Sequence, residues 1–289
     1  MRSHCEVLRR SLPCRFGRLR LSPTPLCIAL SLALTAVSVA QKPSAQLPSG
    51  ISLSNGSYVG TVMQTSYSLP TGGTTWAAHT ASQLTSALNT SVPGDVIVLD
   101  AGIAYVGNFF LPAKSNPSNK WIYIISSQLA SLPEGTRVSP SEAASMPKIV
   151  TPNASSAIYQ KSGANYWRIS GIEIYSTSTY RPGGSDPNYY GGALVQNYDN
   201  VPAVLPDSII FDRCYIHGDP THDLQRGLSM NWSHAAVVDS WLSDIHAYNV
   251  EAQAVGAWWS PGPFKIVNNH LEAATENLMF GGSGGPSTP

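Results

Sequence analysis

Apolar positions in the second half of the chain return in a fixed phrase. Ile169-Ser-Gly-Ile-Glu-Ile174, Phe211-Asp-Arg-Cys-Tyr-Ile216, Val237-Val-Asp-Ser-Trp-Leu242 and Ile266-Val-Asn-Asn-His-Leu271 each begin and end on apolar residues. Small or polar residues such as Ser240 and Asn269 stand between them. The closing residues Ile216, Leu242 and Leu271 lie 26 and then 29 residues apart. A strand-sized unit returning at that period predicts a β-solenoid, in which each turn covers the apolar face of the one before. Upstream, the runs at 96–99, 121–125 and 148–150 read as buried strands, and Val98, Ile124 and Ile149 follow one another at 26 and 25 residues. The shared period predicts one repeat domain over residues 76–280.

Punctuation around these runs fills in the rest. Thr80-Ala-Ser-Gln83 has the capping-box pattern, and Leu84, Ala87 and Leu88 put an apolar stripe on the short helix it starts. Laid over the first strand, that helix would seal the open end of the solenoid. Residues 41–75, rich in Ser, Thr, Gly and Pro, read as a flexible leader. Between Ile174 and Ile216 the spacing stretches to 42, and the surplus at 177–207 reads as a long loop of the kind that carries binding. The strand pattern at 277–280 runs into a Gly/Pro tail at 281–289 with no closing helix, so a C-terminally truncated solenoid is expected.

Charge and cysteine content narrow the setting. The first 40 residues carry six arginines, an apolar run from Leu26 and the ending Ser38-Val39-Ala40, which together read as a secretory signal peptide cut before Gln41. The run is too short to span a bilayer, and no later segment is apolar enough to do so. A secreted or cell-envelope protein is therefore expected. Of 17 basic and 17 acidic residues, the signal removes six arginines and Glu6, leaving 11 and 16 and a net charge of −5. That balance gives no footprint for nucleic acid. Cys5, Cys14 and Cys27 leave with the signal, and Cys214 remains alone at the slot that Ile172, Ser240 and Asn269 fill in the other phrases. It reads as a buried structural thiol.

With the cap helix, the Pro93-Gly94-Asp95 turn and these coils, the chain resembles the right-handed parallel β-helices of the pectate-lyase-like superfamily. Residues 83–102, from Gln83 to Gly102, are similar to the opening of alginate-lyase and chondroitinase-B-type members. The resemblance implies an all-β right-handed parallel β-helix and a polysaccharide partner. It fixes the fold more closely than the activity, because one fold hosts many functions. Asn269-His-Leu-Glu272 and Thr275-Glu-Asn-Leu278 follow the family pattern in part. Glu276 keeps an acid that the family uses toward calcium, whereas Leu278 and Ser283 stand where a second acid and a lysine belong.

The densest polar stretch runs from Asp212 to Arg226. Elimination from a uronate needs a base for the C5 proton and a cation beside the carboxylate. His217 or His222 would supply the first, and Arg226 or a calcium ion held by Asp219, Asp223 and Glu276 the second. The competing reading makes Gly218-Asp219-Pro220 a plain turn ordered by Asp223. In the stacked phrases, Ser240 and Asn269 are expected inward as a hydrogen-bonded ladder, with Asp239, Trp241, Asn268 and His270 outward on a sugar-binding face. Trp241, His246, Trp258, Trp259, His270 and Glu272 are the candidate substrate contacts, joined by the loop residues Tyr180, Tyr189, Tyr190 and Tyr198. The expectation is a monomeric, secreted, carbohydrate-active β-helix, a polysaccharide lyase relative that binds or cleaves an acidic glycan. A non-catalytic glycan-binding or adhesive β-helix is the alternative, and a purely structural spike a more distant one.

Overall fold

Strands of three kinds alternate along the chain, and each kind stacks only on its own. The computed structural model describes residues 63–178, 192–197, 204–248 and 250–282, all within one compact unit. The signal segment, the leader up to residue 62, Tyr180, Tyr189, Tyr190, Tyr198 and the tail from 283 lie outside the described residues. Sheet A is built from β1 (Thr75–Ala78), β2 (Val96–Leu99), β5 (Ile122–Ser126), β8 (Asn165–Ser170), β11 (Asp207–Asp212), β14 (Ser233–Val238) and β17 (Phe264–Val267). Sheet B contains β3 (Ala104–Val106), β6 (Lys148–Thr151), β9 (Glu173–Ser176), β12 (Tyr215–His217), β15 (Trp241–Ile245) and β18 (His270–Ala273). Sheet C contains β4 (Phe109–Leu111), β7 (Ile158–Gln160), β10 (Ala193–Asn197), β13 (Arg226–Ser229), β16 (Gln253–Ala257) and β19 (Glu276–Phe280). The chain visits A, B and C in turn, and the paired strands in all three sheets are parallel. This is a right-handed parallel β-helix, the hand that parallel crossovers take.

Columns of apolar side chains fill its interior. Ile97, Ile124, Ile169, Phe211, Val237 and Ile266 stack in register from sheet A. Tyr105, Ile149, Ile174, Ile216, Leu242 and Leu271 do so from sheet B. Apart from Ile266 and Leu271 in the last coil, all of these are buried. Burying one such aliphatic chain is worth about 1.5–3 kcal/mol, so the repeated phrase is the energetic unit of the fold. The phrases ending in Ile174, Ile216, Leu242 and Leu271 align as the sequence predicted, each crossing the corner from sheet A to sheet B. The expected equivalence of Ile124 with Ile149 does not hold, since Ile124 stacks in A and Ile149 in B. An apolar run alone does not say which sheet it joins.

That A-to-B corner is set by backbone conformation. Gly171, Arg213, Asp239 and Asn268 occupy it in successive coils with φ of 69°, 51°, 54° and 56°. Three of the four are not glycine, although this left-handed region costs an ordinary residue about 1–2 kcal/mol. Asp239 and Asn268, expected on an outward sugar-binding face, are thus corner residues. The Asp239 carboxylate accepts from Asn268 Nδ2 (2.7 Å) and from the Gly135 amide (3.0 Å). The inward ladder is present: the Ser240 amide donates to Asn269 Oδ1 (2.9 Å), and the Cys214 amide donates to Ser240 Oγ (3.0 Å).

Helix α1 (Ala81–Thr90) buries Leu84, Ala87 and Leu88 against the first strands, with Thr80 as its N-cap. Two expectations change. Strand β10 lies inside the stretch read as one loop, pairing with β7 and β13. The leader is not free over its described part, because residues 63–67 are fastened to the outer face of sheet A by Arg168, Arg213 and Lys265.

Candidate functional site

Since Ile149, Ile174, Ile216 and Leu242 point inward, their neighbours on sheet B point out. Register then assembles one outward row from Lys148, Glu173, Tyr215, Trp241 and His270, and a second from Val150, Tyr175, His217 and Ser243. On one side the floor is flanked by segment 127–147, whose Leu132, Val138 and Met146 cluster with Tyr215, with Trp241 against them. The segment is pinned by the Val138 amide on the Asp239 carbonyl (2.9 Å) and by Arg137 on the Asn269 carbonyl (3.4 Å). The turn 218–225, which carries the chain from β12 to β13, flanks the other side. Gly218 in that turn has no room for a side chain, because a Cβ there would lie 2.1 Å from the Asp244 carbonyl oxygen.

Glu173 is the centre of the floor. Its carboxylate, 8% exposed, takes the Lys148 ammonium on Oε2 and faces His217 Nε2 on Oε1 at 3.1 Å. Burial alone would raise its pKa, but the hydrogen bonds and charges of His217 and Lys148 outweigh it and hold the carboxyl below its usual range. His217 is wedged between rings, 4.0 Å from Tyr215 and 5.2 Å from Tyr175. Its Nδ1 faces the Gly218 carbonyl at 2.6 Å. Both nitrogens therefore meet acceptors, which leaves neither open to a ligand. The Tyr175 hydroxyl is held protonated by burial and by the nearby Glu173 charge. Tyr215 is raised by burial, with Asp244, Glu173 and Glu272 adding to it against a hydrogen bond with Ser243.

Trp241 and His270 stack face to face at 3.7 Å. Each ring thereby covers one face of the other. Neither the Trp241 indole N–H nor the Tyr175 hydroxyl has a hydrogen-bond partner among the described residues. With Lys148 they make the floor rich in donors. Glu272 is exposed and lies 3.5 Å from His270.

The other expected residues lie around this floor rather than on it. In the turn, Asp219 accepts from the Thr221 amide (2.8 Å), the Thr221 hydroxyl (2.7 Å) and the His222 amide (3.0 Å), and holds His222 Nδ1 at 2.9 Å. Desolvation would raise the Asp219 pKa, yet these hydrogen bonds drive it strongly down. With Nδ1 on a carboxylate, His222 presents Nε2 as an acceptor. His246 Nε2 meets the Asp219 carbonyl at 2.9 Å, and Asp223 accepts from the Tyr248 amide at 3.1 Å. Arg226 begins β13 in sheet C, its guanidinium over the Trp258 ring at 4.5 Å. Trp258 and Trp259 donate backbone N–H groups to Asn231 and are half-buried at that end of the coil. Glu276 accepts from Gln253 Nε2 at 2.9 Å in sheet C.

Calcium does not fit the residues expected to hold it. Among the described residues no three of His, Cys, Asp and Glu converge as metal ligands. Asp219 is engaged by its own turn on both oxygens, and Glu276 lies in sheet C. Cys214 is fully buried, and burial pushes its thiol up to about 12. Lys148, Glu173, Tyr175 and Tyr215 were missed as site residues. The signal available was spacing: Lys148 and Glu173 each precede an inward isoleucine, 25 residues apart.

No family model and no curated protein matches the chain. Among solved structures, it is similar to an alginate lyase from Paenibacillus sp. strain FPU-7, at 15% identity and a TM-score of 0.27, over 72% of this chain and 98% of that one. It is also similar to the PL6-family alginate lyase AlyGC, at 12% identity and a TM-score of 0.30, over 77% of this chain. A mutant of AlyGC matches at 11% identity and a TM-score of 0.35, over 74% of this chain. The matches cover 40% and 39% of the two AlyGC chains. The fold assignment rests on the chain's own three parallel sheets.

Proposed function

We propose that the protein is an exported, carbohydrate-active β-helix that binds an acidic glycan along sheet B and cleaves it by β-elimination. The observation that carries this reading is the floor itself: Lys148, Tyr175 and Trp241 present donors along the outer face of sheet B beside one buried carboxylate. A chain of uronates supplies the matching acceptors. In the reaction, Lys148 holds the uronate carboxylate and draws charge from C5. His222, oriented by Asp219, takes the C5 proton through Nε2. As the C4–C5 double bond forms, the C4–O4 bond breaks with its electron pair on O4, which Tyr175 protonates. Arg226, expected to neutralise the carboxylate, has no part in this scheme.

Incubation with alginate, pectin and a glycosaminoglycan, followed by ultraviolet absorbance, tests the proposal. An unsaturated product should form, and His222→Ala should slow it by about a hundredfold or more while glycan retention survives. Absence of both product and retention with every polymer refutes the reading. Retention without product would establish the second reading, a non-catalytic glycan-binding protein. The engagement of both His217 nitrogens favours that alternative.

A further inference from the structure

The outer face of sheet A carries two cations in one row. Tyr123, Arg168, Ile210, Ala236 and Lys265 follow one another in register across five successive coils. Arg168 and Lys265 are three rungs apart, about 14 Å at the spacing of neighbouring strands. Only Ile210 and Ala236 lie between them on that row, so the two long side chains can lean toward each other over an apolar strip.

What they grip is the chain's own segment 63–67. Arg168 Nη1 donates to the Thr65 carbonyl at 2.6 Å. Lys265 Nζ donates to the Met63 carbonyl at 2.9 Å and to the Thr65 hydroxyl at 2.7 Å. Tyr67 completes the seat, its ring 3.7 Å from the Arg168 guanidinium and stacked on Tyr123 at 5.5 Å, with its hydroxyl accepting from Arg213 at 2.6 Å.

The charges are unevenly matched. Asp212 serves both Arg168 (2.8 Å) and Arg213 (2.7 Å), so one carboxylate answers two guanidinium groups. Lys265 is paired with no carboxylate among the described residues, and its partners, the Met63 carbonyl and the Thr65 hydroxyl, are neutral oxygens. Desolvation and the neighbouring Arg168 charge both press its ammonium toward the neutral form, against a weaker attraction from Asp239. A hydrogen bond from a cation to an anion is about twice as strong as one between neutral groups. An anion in the place of Thr65 would gain that difference at Lys265 and Arg168 together.

We propose that segment 63–67 is a built-in ligand of an anion site formed by Arg168 and Lys265 on sheet A, and that a carboxylate-bearing polysaccharide displaces it. The apolar strip over Ile210 and Ala236 accepts the flat face of a sugar ring, and the flanking cations accept carboxylates along the same chain. The site lies on a different face from the sheet B floor and requires no cleavage. It goes beyond the elimination reading and does not depend on it.

Hydrogen exchange of the amides at 64–67 in the full chain, with and without an oligouronate, tests the proposal. Exchange should become severalfold faster with the oligouronate and level off as the site fills. In Lys265→Met the oligouronate should no longer accelerate it, whatever the starting rate in that variant. Lys148→Met, on sheet B, should keep the full response. Unchanged exchange in the wild type, slower exchange, or equal acceleration in Lys265→Met would each overturn the proposal. Acceleration without any unsaturated product would leave it standing while removing the elimination reading.

Discussion

Glu173 shows how one residue can be structural and functional at once. Its depressed pKa is a stability statement, and the sign follows from linkage. A carboxylate whose folded pKa lies below its unfolded value, near 4.5, stabilises the fold above that value. The contribution is lost as the pH falls through the folded pKa. Glu173→Gln should therefore unfold at lower urea concentration than wild type at neutral pH, and the gap should narrow at a pH well below the usual glutamate value. A constant gap would mean that His217 and Lys148 do not hold Glu173 charged. Glu173 was hard to find in the sequence because its partners Lys148 and His217 lie 25 and 44 residues away. Nothing local to the phrase Ile169–Ile174 marks it. His217 and His222 were legible because they share a dense polar stretch, but the stretch did not tell a ring with both nitrogens engaged from one with an open Nε2.

At the level of strands and corners, the repeated phrase was legible wherever inward residues are large and aliphatic. Ser240 and Asn269 could be placed inward because they interrupt that column at a fixed slot. Their hydrogen bonds make a testable claim. Asn269 accepts from the Ser240 amide and donates to the Val237 carbonyl (2.9 Å), so one side chain closes two backbone groups. Asn269→Ala leaves a buried N–H without its acceptor, at a cost of about 1–3 kcal/mol. Urea unfolding of the variant should show that loss, whereas no change would mean that water or relaxation replaces the amide. Lys148–Ile149–Val150 joins a column other than the one its spacing predicts, because a short apolar run carries no label for its sheet. Strand β10 was hidden by the Gly- and Pro-rich residues before it.

For the molecule as a whole, a solenoid's stability is a sum over coils and their contacts with nearest neighbours. Coils in the middle have two neighbours, and the coil of β17–β19 has one among the described residues. Accordingly β11 and β14 are mostly buried, while β17 and β19 are partly or largely exposed and Val267, Leu278 and Phe280 are exposed apolar residues. Amide exchange should be slowest in β11 and β14 and markedly faster in β17–β19. Uniform protection would indicate that the molecule opens only as one unit. Segment 63–67 departs from nearest-neighbour logic, since it touches Tyr123 in the second coil and Lys265 in the last. Nothing in the sequence marks this tie. Arg168, Arg213 and Lys265 sit on separate phrases, and their common partner is a stretch of ordinary Ser/Thr-rich chain.

The column of left-handed residues at Gly171, Arg213, Asp239 and Asn268 also acts as a set of splice marks. Cutting at one member and rejoining at the next removes or duplicates an entire turn without disturbing the phase of the strands on either side. The lengths of such modules, 26 residues from Arg213 to Asp239 and 29 from Asp239 to Asn268, differ only by what the other two bends absorb. Growth and shrinkage of this solenoid by whole modules is thus the change its backbone most readily accepts.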